Sequence, residues 1–302
     1  MDKHQLYTDL NQGVLFERLA AFERNLGKNR ALINSYGGLR RILPGFEGKT
    51  AVVIGAGPSL ERHFDLLRKF QERRELAYIA ADMALRPLLK SGVRPGYVFS
   101  CETNPVDFFG GLDTGRIHLI AFSCMSHLNL RRWRGDISFY NWMIKGALYD
   151  RLWNEAGRDL GFVATGGLVT TQAVAFALGC GISGLILVGN DLGYGHRFYV
   201  RESVPFNRNC LNISRFAPLD ALEMSSARRS REYRIKRDAE IFNTTSQFLA
   251  GKMWLEDLFG NSRIPVYDAS SPGCSEKYVA KIELKDFLYS LEGGKKRKRR
   301  RA

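Results

Sequence analysis

The sequence has no Cys-x-x-Cys pair, and its five cysteines (Cys101, Cys124, Cys180, Cys210 and Cys274) are an odd number. That excludes a disulfide framework and a zinc knuckle, and points to a reducing cytoplasm. No apolar run reaches the length of a membrane span. The most apolar region, residues 168–188, is broken by Gly179, Gly181 and Gly184 and reads as helix, turn and strand. The polar start Met1-Asp2-Lys3-His4-Gln5 lacks an apolar signal core. His63, His118 and His127 have no metal-ligand spacing with one another, and there is no internal repeat.

Acidic residues are also short: 31 Asp and Glu against 45 Lys and Arg give a formal charge of +14. Seven of those charges lie in Lys295-Lys296-Arg297-Lys298-Arg299-Arg300-Arg301, leaving 14 − 7 = +7 for the remainder. Residues 293–302 therefore read as a disordered basic tail able to touch any polyanion non-specifically. The residual charge suits a phosphorylated small substrate equally well.

What is present is a 302-residue chain, 45% hydrophobic, able to bury a substantial core. Residues 1–46 have apolar positions at helical spacing and read as an N-terminal helical segment. From residue 47 to 218 short β-branched runs alternate with helical stretches, including strands near 51–54, 76–80, 97–100, 117–122, 137–142 and 184–189. Helices are expected over 60–73, 82–90, 105–110, 145–156 and 168–178. Repeated strand–helix units predict an α/β fold: a Rossmann-like, mostly parallel sheet with helices on both faces and helical extensions at each end. Residues 197–218 read as a loop or lid. Residues 219–292 read as a helical C-terminal part, with one or two long helices over 219–259 exposing Arg228, Arg229, Arg231, Arg234, Lys236 and Arg237, a short strand at Val266-Tyr267 and a last helix over 277–291.

In open parallel sheets ligands bind beyond the carboxyl ends of the strands. The residues collected there are Gly55, Gly57, Pro58 and Ser59 after the first strand, Asp82 after the second, and Glu102 and Asn104 after the third. Thr165, Gly166 and Gly167 precede the long apolar helix, and Asn190, Asp191, Tyr194 and His196 follow the next strand. Gly55-Ala56-Gly57-Pro58-Ser59 is a turn whose free amides suit a phosphate, or a glycine turn that only lets strand and helix pack. It is neither a dinucleotide fingerprint, which wants a small residue at Leu60, nor a P-loop. Thr165-Gly166-Gly167 is a second such turn, or a plain capped helix start. Asp82 suits a ribose hydroxyl or a helix N-cap. Glu102 and Asp191 suit hydrogen bonding, Mg²⁺ or acid–base transfer, and His196 suits proton abstraction from an acceptor hydroxyl, though a histidine in a glycine-rich loop is more often inert.

Val53-Ile54-Gly55-Ala56-Gly57-Pro58-Ser59-Leu60, Ala80-Ala81-Asp82, Ser100-Cys101-Glu102 with Pro105 and Phe108-Phe109, Gly166-Gly167 and Val188-Gly189-Asn190-Asp191-Leu192-Gly193-Tyr194, in that order, resemble the DUF115 domain. This is the 6-hydroxymethylpterin diphosphokinase MptE-like family, which includes the motility-associated Maf flagellin glycosyltransferases. Val266-Tyr267-Asp268-Ala269-Ser270-Ser271-Pro272-Gly273 leans toward the Maf branch.

The resemblance implies a nucleotide-binding transferase using a CMP-activated nonulosonic acid without a cofactor, with a protein acceptor such as flagellin. The alternative is transfer of diphosphate from ATP, with Glu102 and Asp191 on Mg²⁺. In both, Gly55, Gly57, Ser59, Gly166 and Gly167 would hold phosphate, and Asn104, Asp82 and Asp191 would contact ribose or base. Tyr194 would stabilise the leaving cytidylate, and His196 or Glu102 would take the acceptor proton. Two rivals stay open: a non-catalytic nucleotide- or nucleic-acid-binding protein using the basic tail, and, more weakly, a methyltransferase.

Overall fold

The computed structural model describes residues 3–195, 197–227, 232–237, 240–274 and 277–299. It begins with a long helix, α1 (Lys3–Tyr36), followed by β1 (Thr50–Ile54), α2 (Phe64–Phe70), β2 (Leu76–Ala81), α3 (Asp82–Lys90), β3 (Tyr97–Ser100) and β4 (His118–Phe122). Then come α4 (His127–Arg132), β5 (Ile137–Trp142), α5 (Ala147–Ala156), β6 (Phe162–Val163), α6 (Val169–Leu178) and β7 (Gly184–Val188). The remainder is α7 (Val204–Leu211), α8 (Leu219–Ala227), the hairpin β8 (Glu232–Arg237) and β9 (Glu240–Thr245), α9 (Ser246–Gly260), β10 (Val266–Asp268), β11 (Ala280–Lys281) and α10 (Leu284–Arg299).

Nine strands form one sheet in the order β11-β10-β7-β1-β2-β3-β4-β5-β6, and its strand pairs run parallel. Val52, Val53 and Ile54 are fully buried, as are all six residues of β2 and all five of β7. Such unbroken apolar runs are what a strand covered on both faces requires. α6 is apolar nearly all round and lies in the core against β1, β2 and β3. Around β4 and β5 the core is aromatic: Phe122 stacks on Trp142 with centroids 4.3 Å apart, and Phe22 of α1 meets both edge-on at 5.5 Å.

The N-terminal helix is integral to this sheet. Phe22, Leu26 and Ile33 are buried along one stripe. Two buried asparagines then fix its axial position. Asn25 Nδ2 donates to the carbonyls of Thr103 (2.9 Å) and Cys124 (3.1 Å), and Asn29 Nδ2 to those of Ser123 (3.0 Å) and Met125 (2.8 Å). Those carbonyls belong to the turns after β3 and β4, so α1 lies across the carboxyl edge of the sheet, where ligands bind.

Four expectations need correction. Residues 105–110 form no helix, because Asn129 and Asp107 side chains take the amides of Phe108, Phe109 and Gly110 and hold the segment as a loop. The stretch 219–259 is not continuously helical: β8 and β9 pair antiparallel from Glu232↔Thr245 to Arg237↔Glu240. Arg234, Lys236 and Arg237 therefore lie on a strand, while Arg228, Arg229 and Arg231 fall outside the described residues. The segment 197–218 contains α7, capped by the Ser203 side chain. α10 continues to Arg299, where a disordered tail was expected; lysine and arginine propagate helices well and suit a C-terminal turn. The five cysteines are free, and among the described residues no helix is long and apolar enough to cross a membrane.

Candidate active site

The chain builds the sheet outward from β1 to β6 and then returns to the other side of β1 with β7. The strand order thus reverses between β1 and β7, and in open parallel sheets ligands bind beyond the carboxyl ends of the strands at such a point. A cleft of about 340 Å³ lies there. Its walls are the β1 turn (Gly55, Ala56, Gly57), the start of α3 (Asp82, Met83), the β3 turn (Cys101, Glu102), the start of α6 (Gly167 to Thr170) and the β7 turn (Gly189 to Gly193).

The β1 and β7 turns are tied to each other. The Ser59 amide donates to Asp191 Oδ2 at 2.9 Å, the Ser59 hydroxyl donates to Asp191 Oδ1, and the Gly57 amide donates to the Gly189 carbonyl at 2.9 Å. A Cβ on Gly55 would stand 2.5 Å from the Gly189 carbonyl oxygen, and one on Gly57 would stand 2.5 Å from Asp191 Cγ. The glycines are thus demanded by the β7 turn. This corrects the expectation that Gly57 and Ser59 offer free amides to phosphate: a protein carboxylate already occupies that place. Pro58 opens the short 3₁₀ turn Pro58–His63, where its missing N–H costs nothing.

Asp191 is held from behind as well. It takes a backbone hydrogen bond from Ser271, and the Gly273 amide donates to its carbonyl at 2.7 Å. That 268–274 loop is gathered by buried Asp268, which accepts from the amides of Ser270 and Cys274 (both 2.8 Å) and from Lys281 Nζ (2.6 Å). Burial pushes the Asp191 carboxyl up to about 6, against the opposing pull of its hydrogen bonds with Ser59. Asn190 is buried on the same turn. Its Nδ2 donates to the carbonyls of Val53 (2.8 Å) and Val188 (3.1 Å), and its Oδ1 has no partner.

Asp82 faces the cleft from the next strand. Its Oδ2 accepts from the Ser100 hydroxyl at 2.6 Å and its Oδ1 from the Met83 amide at 2.8 Å, and burial raises its carboxyl to about 6. Glu102 completes a row of three acids on the lining, but its Oε1 accepts from the Asn104 amide at 2.7 Å. Asn104 itself is exposed and does not line the cleft. Both oxygens of Asp191 are engaged by Ser59, and no group of three or more His, Cys, Asp and Glu among the described residues could hold a metal ion. The kinase alternative would place Mg²⁺ on Glu102 and Asp191, both of which line the cleft.

At α6, Gly167 lines the cleft with φ +85°, while Gly166 faces away, and a Cβ there would strike the Trp254 ring at 2.6 Å. The amides of Gly166 and Leu168 go to the Thr171 hydroxyl, and that of Gly167 goes to Thr165 Oγ1. What this end offers to the cleft is the next step of chain, Val169 and Thr170, at the positive end of a ten-residue helix. Tyr194 is buried and absent from the lining. Its backbone bridges to Asn243 of β9, and its ring packs on Phe198 at 5.0 Å. His196 lies outside the described residues.

Sequence reasoning missed several lining residues. Arg18 comes from α1, half-exposed and 4.0 Å from Glu102. Phe198, Tyr199 and Phe248 form an aromatic wall, with Phe198 stacked on Phe248 at 5.2 Å. Buried Glu223 holds that wall, accepting from the amides of Phe198 (3.0 Å) and Tyr199 (3.1 Å) and from Asn209 Nδ2 (2.7 Å). The signal in sequence was the aromatic pair in the stretch read as a lid. Nothing local announces Arg18, which reaches the site only through the asparagine-fixed helix.

The family model of 6-hydroxymethylpterin diphosphokinase MptE-like proteins matches residues 21–197, more than half of the chain. The chain belongs to this family. No curated protein matches it. A solved structure, the Maf glycosyltransferase from Magnetospirillum magneticum AMB-1, is similar in fold: the TM-score is 0.55 at 18% identity, covering 79% of this chain. The chain spans 34% of that protein's length. The MptE-like match takes in β1 to β7, and hence both turns that frame the cleft.

Proposed function

We propose that the cleft between the β1 and β7 turns binds a nucleotide-activated donor and that the protein is a Maf-type glycosyltransferase using a CMP-activated nonulosonic acid. The observation that carries the reading is the cleft's composition: an aromatic wall, a helix N-terminus, one arginine and three carboxyl groups on one sheet edge. The aromatic face of Phe198 and Phe248 suits stacking of a base. The Val169 and Thr170 end of α6, with Arg18, suits the phosphate that leaves as an anion. Asp82 and Asp191 are assigned to ribose hydroxyls, whose hydrogen bonds their carboxyl oxygens can accept at the cleft wall. Glu102 is the acid on the lining nearest the solvent and is assigned to the proton of the attacking hydroxyl. The acceptor is assigned to a protein side chain, as for flagellin.

What favours glycosyl over diphosphate transfer is the fold likeness to a Maf glycosyltransferase together with a cleft that carries an aromatic wall. Incubation with a CMP-activated nonulosonic acid in the presence of EDTA tests the reading. Release of CMP with sugar transferred to the acceptor is the expected outcome; EDTA-sensitive transfer from ATP to a pterin alcohol, with none from the CMP-sugar, would overturn it.

A further inference from the structure

A second cavity of about 690 Å³ adjoins the first along α1. Thr103, next to Glu102 of the cleft, lies in its wall, and Arg24, Lys28, His127, Arg131 and Arg132 surround it. Its lining contains no aspartate or glutamate. Arg132 is paired with Asp107 at 3.5 Å, whereas Arg24, Lys28 and Arg131 have no carboxylate partner among the described residues. Arg24 and Lys28 stand four residues apart on α1, one above the other on the same helix face, where like charges repel. Arg131 lines the cavity from α4, and burial first, then Arg131 and Lys28, lower the pKa of His127.

Three solvent-exposed cations without a carboxylate partner among the described residues thus surround one concave surface whose lining carries no acid. We propose that this cavity is an anion subsite beside the cleft, taking a small molecule that carries two linked phosphates. The charge count selects the chemistry: a phosphate monoester carries roughly 1.5 to 2 negative charges, so two linked phosphates match three cations, while a dicarboxylate falls short. Arginine on either side supplies the forked donors that planar phosphate edges accept. The inference rests on the α1–α4 geometry and stands apart from the assignment of the cleft.

Calorimetric titration of inorganic pyrophosphate into the full chain, with succinate as the comparison and with the variants R24Q/K28Q and R18Q, tests it. Pyrophosphate is expected to bind more tightly than succinate, at a site whose affinity falls at least roughly tenfold in R24Q/K28Q. The melting temperature of that variant is expected to be unchanged or higher, since a like-charge pair is removed. R18Q, which alters the phosphate end of the cleft, is expected to leave the Arg24- and Lys28-dependent binding intact. Equal binding by wild type and R24Q/K28Q, loss in R18Q instead, succinate binding as tightly, or no binding would each overturn the proposal.

Discussion

At the scale of single residues the site is governed by two buried carboxyls, Asp82 and Asp191, both lifted by burial from 3.8 to about 6. A raised carboxyl means that the folded chain holds protons that the unfolded chain has released. Stability from this source is therefore full below about pH 4 and is lost as pH rises through 6. Replacing Asp82 by Asn keeps an acceptor for the Met83 amide and a donor for Ser100 while removing the titration. D82N is expected to gain on wild type in melting temperature between pH 4 and pH 7, which parallel thermal melts across that range would check. The glycines make a sharper demand. G57A puts a methyl group 2.5 Å from Asp191 Cγ and 2.8 Å from the Gly189 carbonyl oxygen. Overpacking of that kind is expected to cost about 1–3 kcal/mol in chemical denaturation and to loosen the Ser59–Asp191 tie. The strand before this turn and the turn itself were legible in sequence; the identity of its anion was not, because Asp191 lies 132 residues beyond Ser59 and only the sheet order brings them together.

At the scale of elements, the parallel strands were legible because runs such as Val52-Val53-Ile54 and Leu185-Ile186-Leu187-Val188 have one physical reading, burial on both faces. The hairpin was not. Its basic residues imitate an exposed helix face, although Tyr233 and Ile235 alternate with charged residues and Ile241-Phe242-Asn243-Thr244-Thr245 is rich in strand formers. That hairpin delivers Thr245, Gln247 and Phe248 to the cleft and braces Tyr194. The aromatic wall depends in turn on Glu223. E223A would leave the amides of Phe198 and Tyr199 without their acceptor, costing about 2 kcal/mol and freeing the wall. Weaker nucleotide binding with a melting transition still cooperative is the expected result, read by calorimetry beside thermal denaturation.

At the scale of the whole molecule, charge separates into a body and an end. Deleting residues 295–301 lowers the formal charge from +14 to +7 and touches none of the residues that line the cleft. Transfer activity is expected to persist in the truncated chain, while retention on an RNA or heparin column drops and loses its salt dependence. Loss of both together would favour the nucleic-acid-binding alternative. The family match takes in β1 to β7, and the cleft opens where the strand order reverses between β1 and β7.

Calorimetric titration of CMP, with ATP and Mg²⁺ in parallel, into wild type and F248A measures directly whether this cleft holds a nucleotide. CMP is expected to bind without metal, in preference to ATP, and to weaken about tenfold or more on loss of the stacked Phe248 ring, a contact of roughly 1–3 kcal/mol for a base on an aromatic face. CMP binding unchanged in F248A, or an ATP preference that requires Mg²⁺, would contradict it.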